Sequence, residues 1–131
     1  MLSSFGVGIS YRSQFSNSLF EYKDLIDCIE IIPEHYFFGH RQDELEKLSK
    51  SFTVIPHGVS LSLGSADGIN LSHIDHLNTL CQFVSAPWFS EHIAFTRYSD
   101  VDVGHLVPLP FTEEAIDTVV KNVQIVQQSL A

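Results

Sequence analysis

Positively charged residues are scarce in this sequence. Seven lysines and arginines stand against sixteen aspartates and glutamates in 131 residues, which gives a formal net charge of −9. Such a charge repels phosphate backbones and anionic lipid surfaces, so neither nucleic acid nor a membrane is expected as a partner. Long apolar runs are also absent, because none approaches the roughly 18 residues that a membrane-spanning helix needs.

Cysteine is rare as well. Cys28 and Cys81 lie in separate apolar segments, which predicts two buried thiols in a reducing compartment rather than a disulfide. The first ten residues lack the basic and apolar regions of a secretory signal, so a cytoplasmic location is expected. The sequence also has no glycine-rich phosphate-binding loop and no nucleophile elbow, which argues against nucleotide binding and serine hydrolysis.

What the sequence does contain is an alternation of strand and helix patterns. Each of four short apolar runs is followed by a segment whose apolar residues are spaced three and four apart. The four predicted strands are residues 5–11, 28–33, 52–59 and 88–95. The four predicted helices fall within residues 13–27, 41–52, 70–84 and 112–131. The stretch 96–111, between the last strand and the last helix, is expected to be irregular.

This alternation predicts an α/β fold. It implies βαβ units with right-handed crossovers and a parallel sheet covered by helices. A closed (β/α)₈ barrel of the TIM type needs eight such units and typically about 250 residues. We therefore expect residues 1–131 to form a single domain that corresponds to the first four βα units, the amino-terminal half of a barrel.

Two histidines stand where predicted strands end. Period-two alternation places His57 at the carboxyl end of the third strand and His92 at the same end of the fourth. Functional groups gather at this edge of parallel α/β sheets, and neighbouring strands lie about 4.8 Å apart. His57 and His92 are therefore candidate ligands of one shared metal ion. The alternative is that each is a core histidine bonded to nearby backbone.

Two further residues are candidates for the same site. Glu30 lies inside the second predicted strand, where a carboxylate is costly unless it is paired or metal-bound. It is interpreted either as a group that orients a metal ligand or as one member of a structural ion pair. His105, in the segment after the fourth strand, is a candidate additional ligand. His73 and His76 are expected to belong to a solvated helix face instead.

Four segments together resemble a known family. They are EIIPEHYFFG, PHGVSLSLGSAD, SEHIAF and GHLVPLPFTEEAID, in this order. They resemble the amino-terminal half of the multinuclear non-heme iron-dependent oxidative enzymes, which include the methanobactin-biosynthesis oxidase and were long catalogued as a domain of unknown function. The resemblance implies a TIM-type barrel similar to xylose isomerase, with two or three iron ions at the carboxyl ends of its strands.

The resemblance also implies an activity. Family members with an assigned role use O₂ to modify cysteine or other side chains of ribosomally made precursor peptides, usually with a partner protein that presents the peptide. His57 in the H-G-V string and His92 in the S-E-H string match the family's metal-ligand motifs. The family's other ligands lie on later strands, and many relatives have asparagine and aspartate in place of Gly104 and His105. We therefore expect no iron, or partial occupancy, in this chain alone.

Three functional hypotheses follow. The first is the amino-terminal part of an iron-dependent oxidative enzyme that modifies peptides, although activity of this chain alone is not implied. The second is a divalent-metal isomerase or hydrolase of the same barrel architecture. The third is a non-catalytic truncated subunit that associates with another copy or a partner half through open sheet edges.

Overall fold

A four-stranded sheet organises the computed structural model, which describes residues 6–130. Its strands, in spatial order, are β1 (Gly8–Ser10), β2 (Cys28–Ile31), β3 (Thr53–Gly58) and β4 (Ser90–Glu91). β2 pairs in parallel with β1 and with β3, so that Ile29 aligns with Ile9 and with Val54. The predicted α/β class with a parallel sheet is confirmed. Phe5, the first residue of the first predicted strand, lies outside the described residues.

Helices follow the strands, as parallel pairing requires. They are α1 (Ser16–Glu21), α2 (Gln42–Ser51), α3 (Leu71–Phe83) and α4 (Glu113–Ser129). α1 is shorter than the predicted segment 13–27, because 3₁₀ turns at Ser13–Phe15 and Lys23–Leu25 flank it. A third 3₁₀ segment, Pro33–Gly39, directly follows β2. No helix within residues 6–130 is long and apolar enough to cross a membrane.

The chain packs as two compact units. Within the described residues, the first comprises everything up to His57 together with Leu80–Ser90, and the second comprises Gly58–Thr79 together with everything from Glu91 onward. Five aliphatic side chains with exposures of 2% or less form the centre of the first unit: Leu19, Ile29, Ile31, Leu48 and Val54. Burying each contributes about 1.5–3 kcal/mol, which stabilises the packing of β2 and β3 in this unit. The single-domain assignment of residues 1–131 stays a prediction.

The second unit contains an antiparallel hairpin that the sequence reading missed. β5 (Phe95–Tyr98) pairs with β6 (Val101–Val107) around a two-residue turn, where Ser99 adopts φ +50°. The expectation of an irregular stretch at 96–111 was therefore wrong. The predicted fourth strand, 88–95, is also shorter than expected, because its last residue already belongs to this hairpin.

α4 begins where the sequence predicts. The Thr112 hydroxyl oxygen accepts the Ala115 N–H at 3.3 Å, as an N-cap residue should. Hydrogen bonds from the Glu114 backbone N–H and from Thr112 lower the pKa of the exposed Glu114 carboxyl. Both Glu113 and Glu114 lie in the first turn, where the helix dipole favours negative charge.

Candidate functional site

His57 lies at the carboxyl end of β3 in the first unit. Exposure alternates along the strand: Val54 and Pro56 are buried, whereas Ile55 and His57 are half-buried. The predicted period-two arrangement of this strand is thereby confirmed. The His57 Nδ1 lies 2.8 Å from the Ser90 hydroxyl oxygen of β4. This hydrogen bond orients the imidazole, and an imidazole whose ring is held in this way is suited to metal ligation or proton transfer.

His92 directly follows β4 and belongs to the second unit. Its backbone N–H donates to the Glu91 Oε1 at 2.7 Å, and the Glu91 Oε2 accepts the Leu61 N–H at 3.1 Å. The Glu91 carboxylate thus links the segment after β3 to the end of β4 by backbone hydrogen bonds. This link fixes the peptide from which the His92 side chain projects. The shared metal site of His57 and His92 stays a prediction.

Glu30 is half-buried in the middle of β2. The Ser10 hydroxyl of β1 donates to its Oε1 at 2.5 Å, and the two residues are register partners in the sheet. No cationic side chain among residues 6–130 lies within ion-pair distance of Glu30, so the Ser10 hydroxyl satisfies this carboxylate. A role for Glu30 in orienting a metal ligand stays a prediction.

His105 lies on β6, in the second unit, and its side chain is exposed. Its neighbour Gly104 has φ +76°, a left-handed conformation that glycine adopts without strain, and the Gly104 N–H donates to the Asp102 Oδ1 at 2.7 Å. The histidine is therefore presented from a strand of the hairpin rather than from the irregular segment that was expected. Its ligand role stays a prediction.

The described residues do not complete a multinuclear metal centre. Across residues 6–130, no group of three or more histidine, cysteine, aspartate or glutamate side chains is arranged to hold a metal ion. Non-heme iron sites typically need two histidines and at least one carboxylate. Two imidazoles fit a part of such a donor set, and the carboxylates that would complete it are not assembled here.

Neither cysteine has the setting of a nucleophile. Both thiols are free; Cys28 is buried as predicted, whereas Cys81 is half-buried. Burial raises the pKa of the Cys81 thiol to about 11, and burial together with the nearby Asp27 charge raises the pKa of Cys28. Since the thiolate is the reactive form, both side chains stay protonated and unreactive near neutral pH.

The serine-rich segment after β3 forms a hydrogen-bonded network that the sequence analysis did not predict. In the second unit, the buried Ser62 hydroxyl accepts the Thr96 N–H at 2.8 Å and lies 2.5 Å from the Ser65 hydroxyl. The Arg97 guanidinium contacts Asp67 at 3.2 Å and donates to the Gly68 carbonyl at 2.8 Å. These bonds attach the segment to the hairpin. The S-x-x-S-x-D spacing of Ser62, Ser65 and Asp67 is the sequence feature that could have indicated this network.

The fold and the placement of these residues define a class of protein: an α/β protein with a parallel sheet that carries a histidine at the carboxyl end of β3, the edge where such sheets bind ligands. A family model described as "RiPP precursor modification enzyme MbnB/TglH/ChrH" matches residues 6–131. The chain belongs to this family, whose name refers to ribosomally made peptides that are modified after synthesis.

Curated relatives agree with this assignment. A UPF0276 protein of Streptomyces avermitilis is 34% identical to this chain, with 98% of the chain and 28% of the relative covered. Similar proteins of Rhizorhabdus wittichii and Caulobacter vibrioides are 37% and 31% identical, over 80% and 96% of this chain and 38% and 45% of their own lengths. The chain thus spans less than half the length of these relatives.

Proposed function

We propose that this chain is the amino-terminal part of an iron-dependent oxidative enzyme that modifies residues, often cysteine, of ribosomally made peptides. The observation that carries this proposal is the family match over residues 6–131, which places nearly the whole chain in a family of peptide-modifying enzymes. The parallel sheet and its helices are compatible with the first part of a TIM-type barrel similar to xylose isomerase. The precursor peptide and a protein that presents it are the proposed partners.

In this proposal His57 and His92 are the metal ligands that this chain contributes. The support for His57 is its position at the carboxyl end of β3 and the Ser90 hydroxyl that orients its ring. The support for His92 is the strand order, since it directly follows the neighbour of β3 in the sheet. Glu30 and His105 are proposed as supporting groups or additional ligands. The carboxylate donors would come from the part of the family's length that this chain does not span.

Metal binding tests the proposal directly. The chain, purified anaerobically and mixed with ferrous iron, is desalted and analysed by inductively coupled plasma mass spectrometry. His57→Gln and His92→Gln should each lower the retained iron several-fold, because each substitution removes one of the two imidazole ligands and the remaining ligand binds iron more weakly. His40→Gln, at an exposed position directly after the 3₁₀ segment Pro33–Gly39, is the matched control and should retain as much iron as the unmodified chain.

Two outcomes would contradict parts of this proposal. Where the unmodified chain retains iron, equal iron in all three variants would remove His57 and His92 from the metal site. Preferential retention of zinc or magnesium would instead favour the isomerase or hydrolase hypothesis, since these ions polarise substrates or activate water without redox chemistry.

A specific observation also favours the association of this chain with further polypeptide. In the second unit, Pro108–Phe111 and one side of α4 line an apolar groove of about 880 Å³. Phe111 is fully exposed and Ile116 is 57% exposed. Contiguous exposed apolar surface of this kind normally marks an interaction site. We propose that the apolar groove is covered by polypeptide that corresponds to the part of the longer relatives that this chain does not span, on the same chain or on a partner.

A further inference from the structure

A small polar cavity lies at the carboxyl ends of β1 and β2 in the first unit. Its volume is about 220 Å³, below the roughly 300–1,000 Å³ of pockets that hold drug-sized ligands. The segment that leaves β1 contributes Tyr11 and Arg12 to its lining, and the segment between β2 and α2 contributes His35, Tyr36 and Arg41. A cavity of this size suits one small chemical group rather than a whole peptide.

Positive charge is concentrated in this cavity. Two of the three arginines in the sequence line it, in a chain whose net charge is −9. Arg12 Nη1 donates to the Tyr11 carbonyl oxygen at 2.7 Å, and no carboxylate among residues 6–130 lies within ion-pair distance of this guanidinium. A guanidinium has five N–H donors in a planar fork. Arg12 is therefore held by the backbone while most of its donors have no partner in the described chain.

The Tyr11 hydroxyl is a second polar group at this cavity whose hydrogen-bonding capacity is not used within the described chain. Tyr11 is 5% exposed, and its hydroxyl oxygen has no hydrogen-bond partner among the described residues. A buried hydroxyl without a partner is costly, so such a group in a native protein normally faces a water molecule or a ligand. Because Tyr11 lines the cavity together with Arg12, its unsatisfied hydroxyl is a neutral donor available to this site.

Side-chain contacts orient the residues that the segment between β2 and α2 contributes to the cavity. The Arg41 guanidinium lies 5.2 Å from the centre of the Tyr36 ring and 2.6 Å from the Glu44 Oε1, and the Tyr36 hydroxyl donates to the same carboxylate oxygen at 2.9 Å. Burial raises the pKa of the Tyr36 hydroxyl, and its hydrogen bond to Glu44 raises it further. Tyr36 therefore stays a neutral donor at physiological pH. Glu44 offsets much of the Arg41 charge, which leaves Arg12 as the main unpaired cation.

We infer that this cavity binds an oxyanion, a carboxylate or a phosphate group, through the Arg12 fork and the Tyr11 hydroxyl. Charge-assisted bonds from arginine to such groups are short, strong and often bidentate. The cavity opens at the ends of β1 and β2, the same sheet edge at which β3 presents His57. The bound anion would belong to a ligand that approaches this edge. The inference does not depend on iron or on the oxidative activity.

Anion titration of the full chain tests the inference. Sodium acetate and inorganic phosphate are added separately at constant ionic strength, and the ¹H–¹⁵N shifts of the Tyr11 and Ser13 amides are followed by NMR. We expect saturable shifts with at least one of the two probes. A tighter affinity for acetate would identify a carboxylate as the ligand group, and a tighter affinity for phosphate would identify a phosphate.

Three variants make the test specific. Arg12→Gln should weaken the affinity roughly tenfold or more, because a charge-assisted pair is lost. Tyr11→Phe keeps the ring and should weaken binding several-fold, while the Tm without anion stays equal or rises, because no buried hydroxyl is left unpaired. Lys50→Gln removes one positive charge from an exposed pair with Glu46 on α2 and should leave the affinity unchanged.

Several results would overturn the inference. They are the absence of saturable shifts in the folded chain, an affinity that survives Arg12→Gln, or an equal loss in Lys50→Gln. Circular dichroism verifies that each variant is folded. If Arg12→Gln does not fold, the anion affinity of Tyr11→Phe tests the inference, because an unchanged affinity in that variant would show that the hydroxyl is not part of the site.

Discussion

Asn122 is the clearest single-residue determinant of the second unit. It is 1% exposed on α4, and its Nδ2 donates to the carbonyl oxygens of Leu63 at 2.9 Å and Ser65 at 3.0 Å. Asn122→Ala would remove the side-chain donor of the Leu63 carbonyl and leave the Ser65 carbonyl with only the Gly68 N–H, so we expect the free energy of unfolding to fall by about 1–3 kcal/mol. Urea denaturation measures the change. Gln124→Ala, at an exposed position of the same helix, should change it by less than about 0.5 kcal/mol.

Thiol reactivity gives a second test at the residue scale. Burial raises the pKa of Cys81 to about 11, so the fraction of thiolate near neutral pH is small and rises with pH. At about pH 8 we expect iodoacetamide to alkylate Cys81 roughly a hundredfold more slowly than an exposed cysteine with a pKa of about 8.5. Mass spectrometry of peptides from the folded and the urea-unfolded chain measures both rates. Equal rates in the two states would contradict the burial of this thiol.

The sequence predicted some residue environments and missed others, for a physical reason. The position of His57 at the carboxyl end of β3 and the location of α4 within residues 112–131 follow from local patterns, which a single segment contains. The burial of Asn122 and of Ser62 depends on which distant backbone groups pack against them. Such contacts join residues more than thirty positions apart, so no pattern within one segment could have indicated them.

At the scale of elements, the Ser62 hydroxyl determines how the segment after β3 holds the β5–β6 hairpin. Ser62→Ala would leave the Thr96 N–H without its acceptor and would remove the bond to the Ser65 hydroxyl. We expect the Thr96 and Arg97 amides to exchange with deuterium roughly tenfold faster, because their local opening becomes easier. Ser72→Ala, at an exposed position of α3, is the control. Unchanged exchange at Thr96 would remove this role from Ser62.

Elements with regular apolar patterns were predicted well, and the hairpin was not. α2, α3 and α4 lie within the predicted segments because their apolar residues recur at helical spacing. The hairpin has exposed residues along most of β6 and a Ser99–Asp100 turn without the Asn-Gly or Asp-Gly signal. In addition to its own strand pairing, the hairpin is held by hydrogen bonds to Ser62 and Ser65 of the serine-rich segment, which no local pattern indicates. Sequence periodicity therefore failed where tertiary hydrogen bonds dominate.

At the scale of the whole molecule, the α/β class followed from alternating strand and helix patterns with nearly continuous apolar strand interiors. β2 confirms the basis of that inference, since three of its four residues are buried. The candidate site was less predictable. The sequence indicated His57 and its strand end, but the cavity beside β1 and β2 depends on two separate segments that meet only in the folded chain.

Self-association is the expected whole-molecule consequence of the apolar groove. Ile93, Phe111, Ile116 and Val120 line it and are 49–107% exposed. When the polypeptide proposed to cover it is not supplied, we expect this 131-residue chain to self-associate reversibly at micromolar concentrations, because exposed apolar surface of this extent is stabilised by burial. Ile116→Lys should shift the sedimentation coefficient towards that of the monomer. Leu71→Lys adds the same charge at an exposed apolar position outside the groove and should not. A monomeric wild-type chain, or equal association in both variants, would show that the groove is not the contact surface.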